Sequence, residues 1–262
     1  AIPAMAYAAA VTNTIKIGCR VFCIDYHLPV VLIKSAMTID LLSNGRLELG
    51  LGAGWIKSEY AAVGIDFDEP QVRIDRLADV IAGVKAFRGD GAAEINNATL
   101  NWKDFEGLPK PVGRAPIIVG GGSPRVLRLA GREADIVSLN FNNRSGMIGP
   151  DGLQKSTEAE TLKKLGWIKQ GAGERFDHLE IEIGVICTVV EGDVKPVVAN
   201  FVQMFGLTEE ETRPHPHILV GSIDAVCEQI EQRREQYGIS YFTVQEDSID
   251  SFAPVVARLA GK

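Results

Sequence analysis

Along the chain, apolar runs rich in β-branched residues alternate with segments whose apolar positions recur every three to four residues, and Gly, Pro, Asn or Asp separate them. This alternation predicts repeated βα units around a parallel sheet. The period predicts helices over 3–11, 30–42, 58–63, 70–87, 124–131, 158–169, 194–205, 223–237 and 252–259. Strands are expected over 15–22, 47–51, 116–119, 136–139, 181–190 and 241–245, with a small hairpin between the fourth helix and Pro116. Units this compact predict a single (β/α)8 TIM-barrel domain over 1–262. Six strands cannot close such a barrel, which needs eight, without exposing two edges of an apolar sheet. The expectation is that the first two βα units, on the order of 50 to 70 residues, precede Ala1 in the native protein.

Composition narrows the partners. The 27 basic and 34 acidic side chains are spread along the chain and give a net charge of −7, which argues against a nucleic-acid partner. Apolar stretches such as 28–33 fall far short of the roughly 20 residues a membrane span needs, so a cytoplasmic protein acting on a small molecule is expected. Four cysteines (Cys19, Cys23, Cys187, Cys227) are read as buried free thiols. His215 and His217 share a Pro-rich loop that begins at Arg213, with no further metal ligands in view, so no metal is expected.

Three segments carry candidate chemistry. In GRLELGLGAGW (45–55) a strand runs into closely spaced glycines, whose missing Cβ atoms let a ligand approach backbone amides. In PIIVGGGSPR (116–125) a buried strand enters three glycines and then Ser123 and Pro124 at a helix start. That is the outline of an anion site, with Ser123 as N-cap and Arg125 or Arg128 to neutralise charge. Each pattern is also compatible with a plain capped turn. The third segment, 15–29, sets Arg20, Asp25, Tyr26 and His27 at or beyond a strand's C-terminal end, where barrel enzymes keep their reacting groups. A lone histidine there is more often a packing residue, and no catalytic residue is assigned.

These segments, in this order, resemble the luciferase-like monooxygenase superfamily in its coenzyme F420-dependent oxidoreductase branch. The matching blocks are IGCRV (17–21), Pro29, DLLSNGRLELGLGAGWIKSEY (40–60), Arg73 onward, IIVGGGSP (117–124) and Ala134-Asp135. The resemblance implies a bulge, often with a non-prolyl cis peptide, near Arg20 and Val21, against the coenzyme ring. It implies that Gly52, Ala53, Gly54, Trp55 and Ser58 line that ring and its ribityl chain, that Gly120, Gly121, Gly122 and Ser123 hold the phosphate, and that Gln245 and Glu246 complete the rim. The implied activity is hydride transfer between F420 and an organic substrate by a homodimer. The alternatives are an FMN-dependent monooxygenase and a non-catalytic flavin-binding protein. Basic Arg20, Lys57 and Arg125 suit the acidic tail of F420.

Overall fold

The computed structural model describes residues 1–142, 146, 156–205, 208–212 and 214–261; Arg213, the start of the His-Pro loop, lies outside them. The chain forms two compact units, residues 1–120 with 132–136, and residues 121–131 with 137–262.

The first unit contains α1 (Ile2–Val11), β1 (Ile17–Gly18), β2 (Phe22–Cys23), α2 (Pro29–Leu42), β3 (Leu47–Gly52), α3 (Lys57–Val63), α4 (Pro70–Arg88), β4 (Ala93–Asn96), β5 (Asn101–Phe105) and most of β6 (Ile117–Gly121). Prolines open α1, α2 and α4, where the ring's fixed φ suits the first turn and its missing N–H is not needed. Parallel β3 pairs with β1, β2 and β6. Every residue of β3 is buried, as expected for a parallel strand covered on both faces. β3, with buried Leu47, Leu49 and Leu51, packs against α2 and α4, whose buried residues include Ile33, Met37, Leu77 and Val84. The expected hairpin is antiparallel β4 and β5.

The expected strand over 15–22 is two short pieces with one residue too many between them. Ile17 pairs with Leu47 and Phe22 with Leu51, so five steps on this strand match four on β3, a one-residue bulge. Gly50 makes room for it, since a Cβ there would lie 1.9 Å from the Cys19 carbonyl oxygen.

The second unit contains the start of α5 (Pro124–Glu133), most of β7 (Ile136–Leu139), α6 (Glu158–Ala172), β8 (Glu180–Gly184), β9 (Cys187–Val190), α7 (Val194–Phe205), α8 (Glu209–Thr212), β10 (Ile218–Gly221), α9 (Ile223–Tyr237), β11 (Ile239–Thr243) and α10 (Ile249–Leu259). β8 lies between β7 and β11. The expected strand over 181–190 is also two. β8 pairs in parallel with β11, and after a switch of partner β9 pairs in parallel with β10. The switch is visible in the hydrogen bonds, where the Val185 N–H donates to the Thr243 carbonyl and the Ile186 N–H to that of His217. β10 was not expected, so the reading of six strands is corrected. Ser222 caps α9 by accepting the Ala225 N–H, and Gly238 ends it at φ 70°. Among the described residues no helix is long and apolar enough to cross a membrane.

Two glycines make opposite predictions. Gly50→Ala should destabilise the protein by about 1–3 kcal/mol, because the added methyl meets backbone that cannot yield. Gly166 lies inside α6, exposed and with nothing within 4 Å of a built Cβ, so Gly166→Ala should stabilise by about 0.5–1 kcal/mol. Urea unfolding of both variants checks the pair, and a neutral Gly50→Ala would overturn the account of the bulge.

Candidate functional site

In the first unit the bulge and the turn after β3 form one construction. The Arg20–Val21 peptide is cis, Arg20 is exposed and Val21 half-buried. Val21 lies over Gly52, where a Cβ would come within 2.5 Å of Val21 Cγ2. The chain then leaves β3 through Ala53, Gly54 and Trp55, all half-buried, to exposed Lys57 and Ser58 at the start of α3. Gly54 holds φ +68°, and a Cβ there would strike the Tyr60 hydroxyl at 2.0 Å, so this position requires glycine twice over.

Side chains outside the turn hold it. The Arg73 guanidinium donates to the Ala53 carbonyl at 3.0 Å and also to that of Gly54, while its Nε reaches the Asp68 carbonyl at 2.9 Å. It stacks on Phe67, 4.1 Å from the ring centroid. Tyr60 is fully buried and donates to Asp25 Oδ2 at 2.8 Å. With that proton committed, the Cys23 thiol, 3.3 Å away, donates to the Tyr60 oxygen. Asp25, its side chain 1% exposed, is completed by Arg76, which donates to Oδ1 at 2.6 Å and to Asp68 at 2.5 Å. Burial pushes the Tyr60 phenol far above its usual range, with the bonds to Cys23 and Asp25 adding to it, so it stays a neutral donor. Burial likewise raises the Cys23 thiol. With the Ala53 and Gly54 carbonyls engaged by Arg73, the N–H groups of Gly54 and Trp55 have no protein acceptor among the described residues.

The other glycine cluster begins with Gly120, the last residue of the first unit's long segment, and continues in the second unit. There, a Cβ on Gly121 would meet Val126 at 2.3 Å, and one on Gly122 would meet the Asn140 carbonyl oxygen and the Phe141 carbonyl group at 2.4 Å. The Asn140 N–H returns to the Gly121 carbonyl at 2.9 Å. Ser123 caps α5 through its backbone, accepting the Leu127 N–H at 3.0 Å, and its hydroxyl has no protein partner among the described residues. Such a turn at a helix start offers donors to an anion.

The remaining candidates have packing roles. His27 sets its ring edge-on to Phe22 at 5.5 Å, and burial lowers its pKa. His215 and His217 are buried; His217 Nδ1 lies 2.8 Å from the Gly184 carbonyl oxygen, and Arg233 donates to the His215 carbonyl. The cysteines are free, but only Cys227 is buried; Cys19, Cys23 and Cys187 are half-buried, which corrects the expectation of four buried thiols. Arg128, a candidate to neutralise the anion site, gives its Nε to Gln170. Gln245, beyond the end of β11, donates to the Val185 carbonyl at 3.3 Å, and Glu246 opens a short 3-10 turn.

Sequence reasoning missed the bracing by Tyr60 and Arg76, and it missed Lys164. This lysine is 2% exposed on the buried stripe Thr161, Lys164, Ile168 and Ala172 of α6, and donates to the Asn140 carbonyl at 2.9 Å and to Ser156 Oγ at 2.8 Å. A charged residue at an apolar position of the helical repeat was its signal.

The family model for luciferase-like monooxygenases matches residues 1–147. The chain is 28% identical over 178 residues to an FMNH(2)-dependent dimethylsulfone monooxygenase of Pseudomonas fluorescens, covering 66% of this chain and 44% of that protein. It is 28% identical over 173 residues to an F420-dependent glucose-6-phosphate dehydrogenase of Amycolatopsis mediterranei, covering 64% of this chain and 48% of that one. The matched region thus spans less than half the length of these relatives. A solved F420-dependent secondary alcohol dehydrogenase, in complex with an F420–acetone adduct, superposes with a TM-score of 0.75 at 17% identity over 99% of this chain and 84% of that chain. This likeness shows the α/β fold of the luciferase-like TIM-barrel proteins. The chain therefore belongs to the luciferase-like monooxygenase family, which includes both F420-dependent and FMN-dependent enzymes.

Proposed function

We propose that the protein is an oxidoreductase that holds coenzyme F420 and moves hydride between it and an organic substrate. The observation that carries this reading is the braced turn after β3, where the Ala53 and Gly54 carbonyls are engaged by Arg73 while the Gly54 and Trp55 amides keep no protein acceptor among the described residues. Amides of this kind suit the carbonyl and nitrogen edge of a flavin-type ring. In this reading Arg20, Val21, Gly52, Ala53, Gly54, Trp55 and Ser58 line the ring and ribityl chain. Gly120, Gly121, Gly122 and Ser123 take the phosphate, and the unpartnered Ser123 hydroxyl is a donor of the right kind for it. When bound, the deazaflavin supplies the hydride chemistry, and the chain's part is to bind and orient. The working form is expected to be a cytoplasmic homodimer.

Exposed Arg20, Lys57 and Arg125 favour F420, whose glutamyl tail is acidic. The second reading, an FMN-dependent monooxygenase, is favoured by the resemblance to the FMNH(2)-dependent dimethylsulfone monooxygenase.

Fluorescence titration with F420 and, separately, with FMN at fixed ionic strength distinguishes the two. Tighter F420 binding is expected; the reverse preference would transfer the reading to a monooxygenase, and binding of neither would remove it. Ser123→Ala should weaken a phosphate-bearing cofactor by about tenfold or more, the worth of one hydrogen bond to a charged acceptor, and leave riboflavin binding unchanged. An equal loss for riboflavin would remove Ser123 from the phosphate site.

A further inference from the structure

Resting on the anion site just proposed, we propose that Lys164 is its positioning residue: the buried ammonium clamps the Asn140 carbonyl behind the Gly121–Ser123 turn and lends the turn its positive charge. Three contacts make the clamp. Lys164 Nζ donates to the Asn140 carbonyl at 2.9 Å, and the Asn140 N–H donates to the Gly121 carbonyl at 2.9 Å. The same Asn140 oxygen sits where a Cβ of Gly122 would be, at 2.4 Å. Ammonium and turn therefore share one carbonyl group.

The helix that carries Lys164 is fixed to the helix that begins at the turn. A Cβ on Gly131 of α5 would lie 2.2 Å from the Ile168 carbonyl oxygen of α6, and one on Gly171 of α6 would lie 2.0 Å from that of Arg128. Backbones this close move together. Arg175 extends the brace, donating to the Gly131 carbonyl at 2.6 Å.

Charge gives the clamp its reason. A methionine would fill this position without desolvating a charge, yet an ammonium occupies it, and among the described residues it has no carboxylate within ion-pair distance. Glu160, on its own helix, is bonded to Lys163 and is, among the described residues, the one titratable group that acts on Lys164. Among the described residues Lys164 Nζ meets neutral groups, the Asn140 carbonyl and the Ser156 hydroxyl, while Arg128 of α5 engages Gln170 and Gln236 of α9 engages Glu158. A phosphate at the turn is the missing counter-charge. Burial pulls the Lys164 pKa down to about 8, and a bound anion raises it again. The folded, empty site therefore carries the ammonium below about pH 8 and loses it above, and with it the preference for phosphate.

The test uses a matched pair of ligands, FMN against riboflavin or F420 stripped of its glutamyl tail against its phosphate-free deazaflavin core, whichever pair binds. The readout is the ratio of the two dissociation constants from pH 6.5 to 9.5. Both phosphates are fully ionised above about pH 7, so a change there belongs to the protein. In the unaltered protein the preference for the phosphate-bearing ligand is expected to fall as pH passes about 8. Lys164→Met should lower that preference about tenfold at pH 7 and flatten its pH dependence, with the phosphate-free ligand bound as before. Lys164→Arg should keep the preference at pH 9.5. If Lys164→Met does not fold, the pH series and the arginine variant decide. A phosphate preference that is flat with pH, or that survives in Lys164→Met, overturns the role of Lys164 and leaves the anion site standing. No phosphate preference in the unaltered protein at pH 7 overturns the anion site itself.

Discussion

The first unit depends on a single close approach, the Cys19 carbonyl lodged in the space where any other residue at position 50 would carry its Cβ. This contact admits one extra residue to the strand before β2, and the register against β3 slips by one. A slip of one residue exchanges the two faces of a strand. From there on Val21 lies over Gly52, and the chain delivers Cys23 and Asp25 to Tyr60. Without the bulge those groups would meet different neighbours, and the turn after β3 would lose the tyrosine that backs it.

Before Trp55 the turn has little side chain of its own to hold it rigid, since Gly52 and Gly54 are glycine and residue 53 is alanine. Its order is imposed from behind by Arg73 on two carbonyls and by Tyr60, itself oriented by Asp25 and Arg76. The second unit solves the same problem with different chemistry. There the glycine turn is backed by the Asn140 carbonyl, and a buried ammonium backs the carbonyl. In both places a bare backbone surface is kept in shape by a cation bonded to peptide oxygens. Such a surface can be open to a ligand and still preorganised, because the groups that fix it stand behind it.

What could be read from the sequence, and what could not, follows from how local each feature is. The helix period and the initial prolines placed α1, α2 and α4 to within a residue or two of their observed ends, because amphipathic period and N-terminal proline are properties of the helix alone. The glycines at 50, 52 and 54 were legible as a close approach, but what approaches was not, for Cys19 lies far from Gly50 in the chain. The run 181–190 looked like one strand because it is almost continuously apolar and β-branched; the break between β8 and β9 is a change of partner from β11 to β10, marked in the sequence only by the lapse of alternation at Val185, Ile186 and Cys187. β10 was missed because its three apolar residues follow a Pro-His-Pro-His stretch that signals a loop. The bracing side chains were hidden for the same reason. Tyr60 and Lys164 occupy positions that periodicity assigns to core, and only the fold shows that their polar ends are spent on a turn.

The placement of charge completes the argument. Asp25 and Lys164 are both buried, but they are treated differently. Asp25 receives a guanidinium and a phenol, so its charge is answered within the unit that holds it. Lys164 meets, among the described residues, a carbonyl and a hydroxyl, dipoles that solvate a charge without cancelling it. A closed network such as that around Asp25 gains nothing further from a ligand and serves to hold shape. An open one keeps a field directed at whatever binds nearby, and in a site screened from water that field is felt more strongly than at a surface. On the proposed reading the two cations take different tasks, Arg73 with Tyr60 and Asp25 shaping a surface for a flat polar ring, and Lys164 biasing the glycine turn toward an anion.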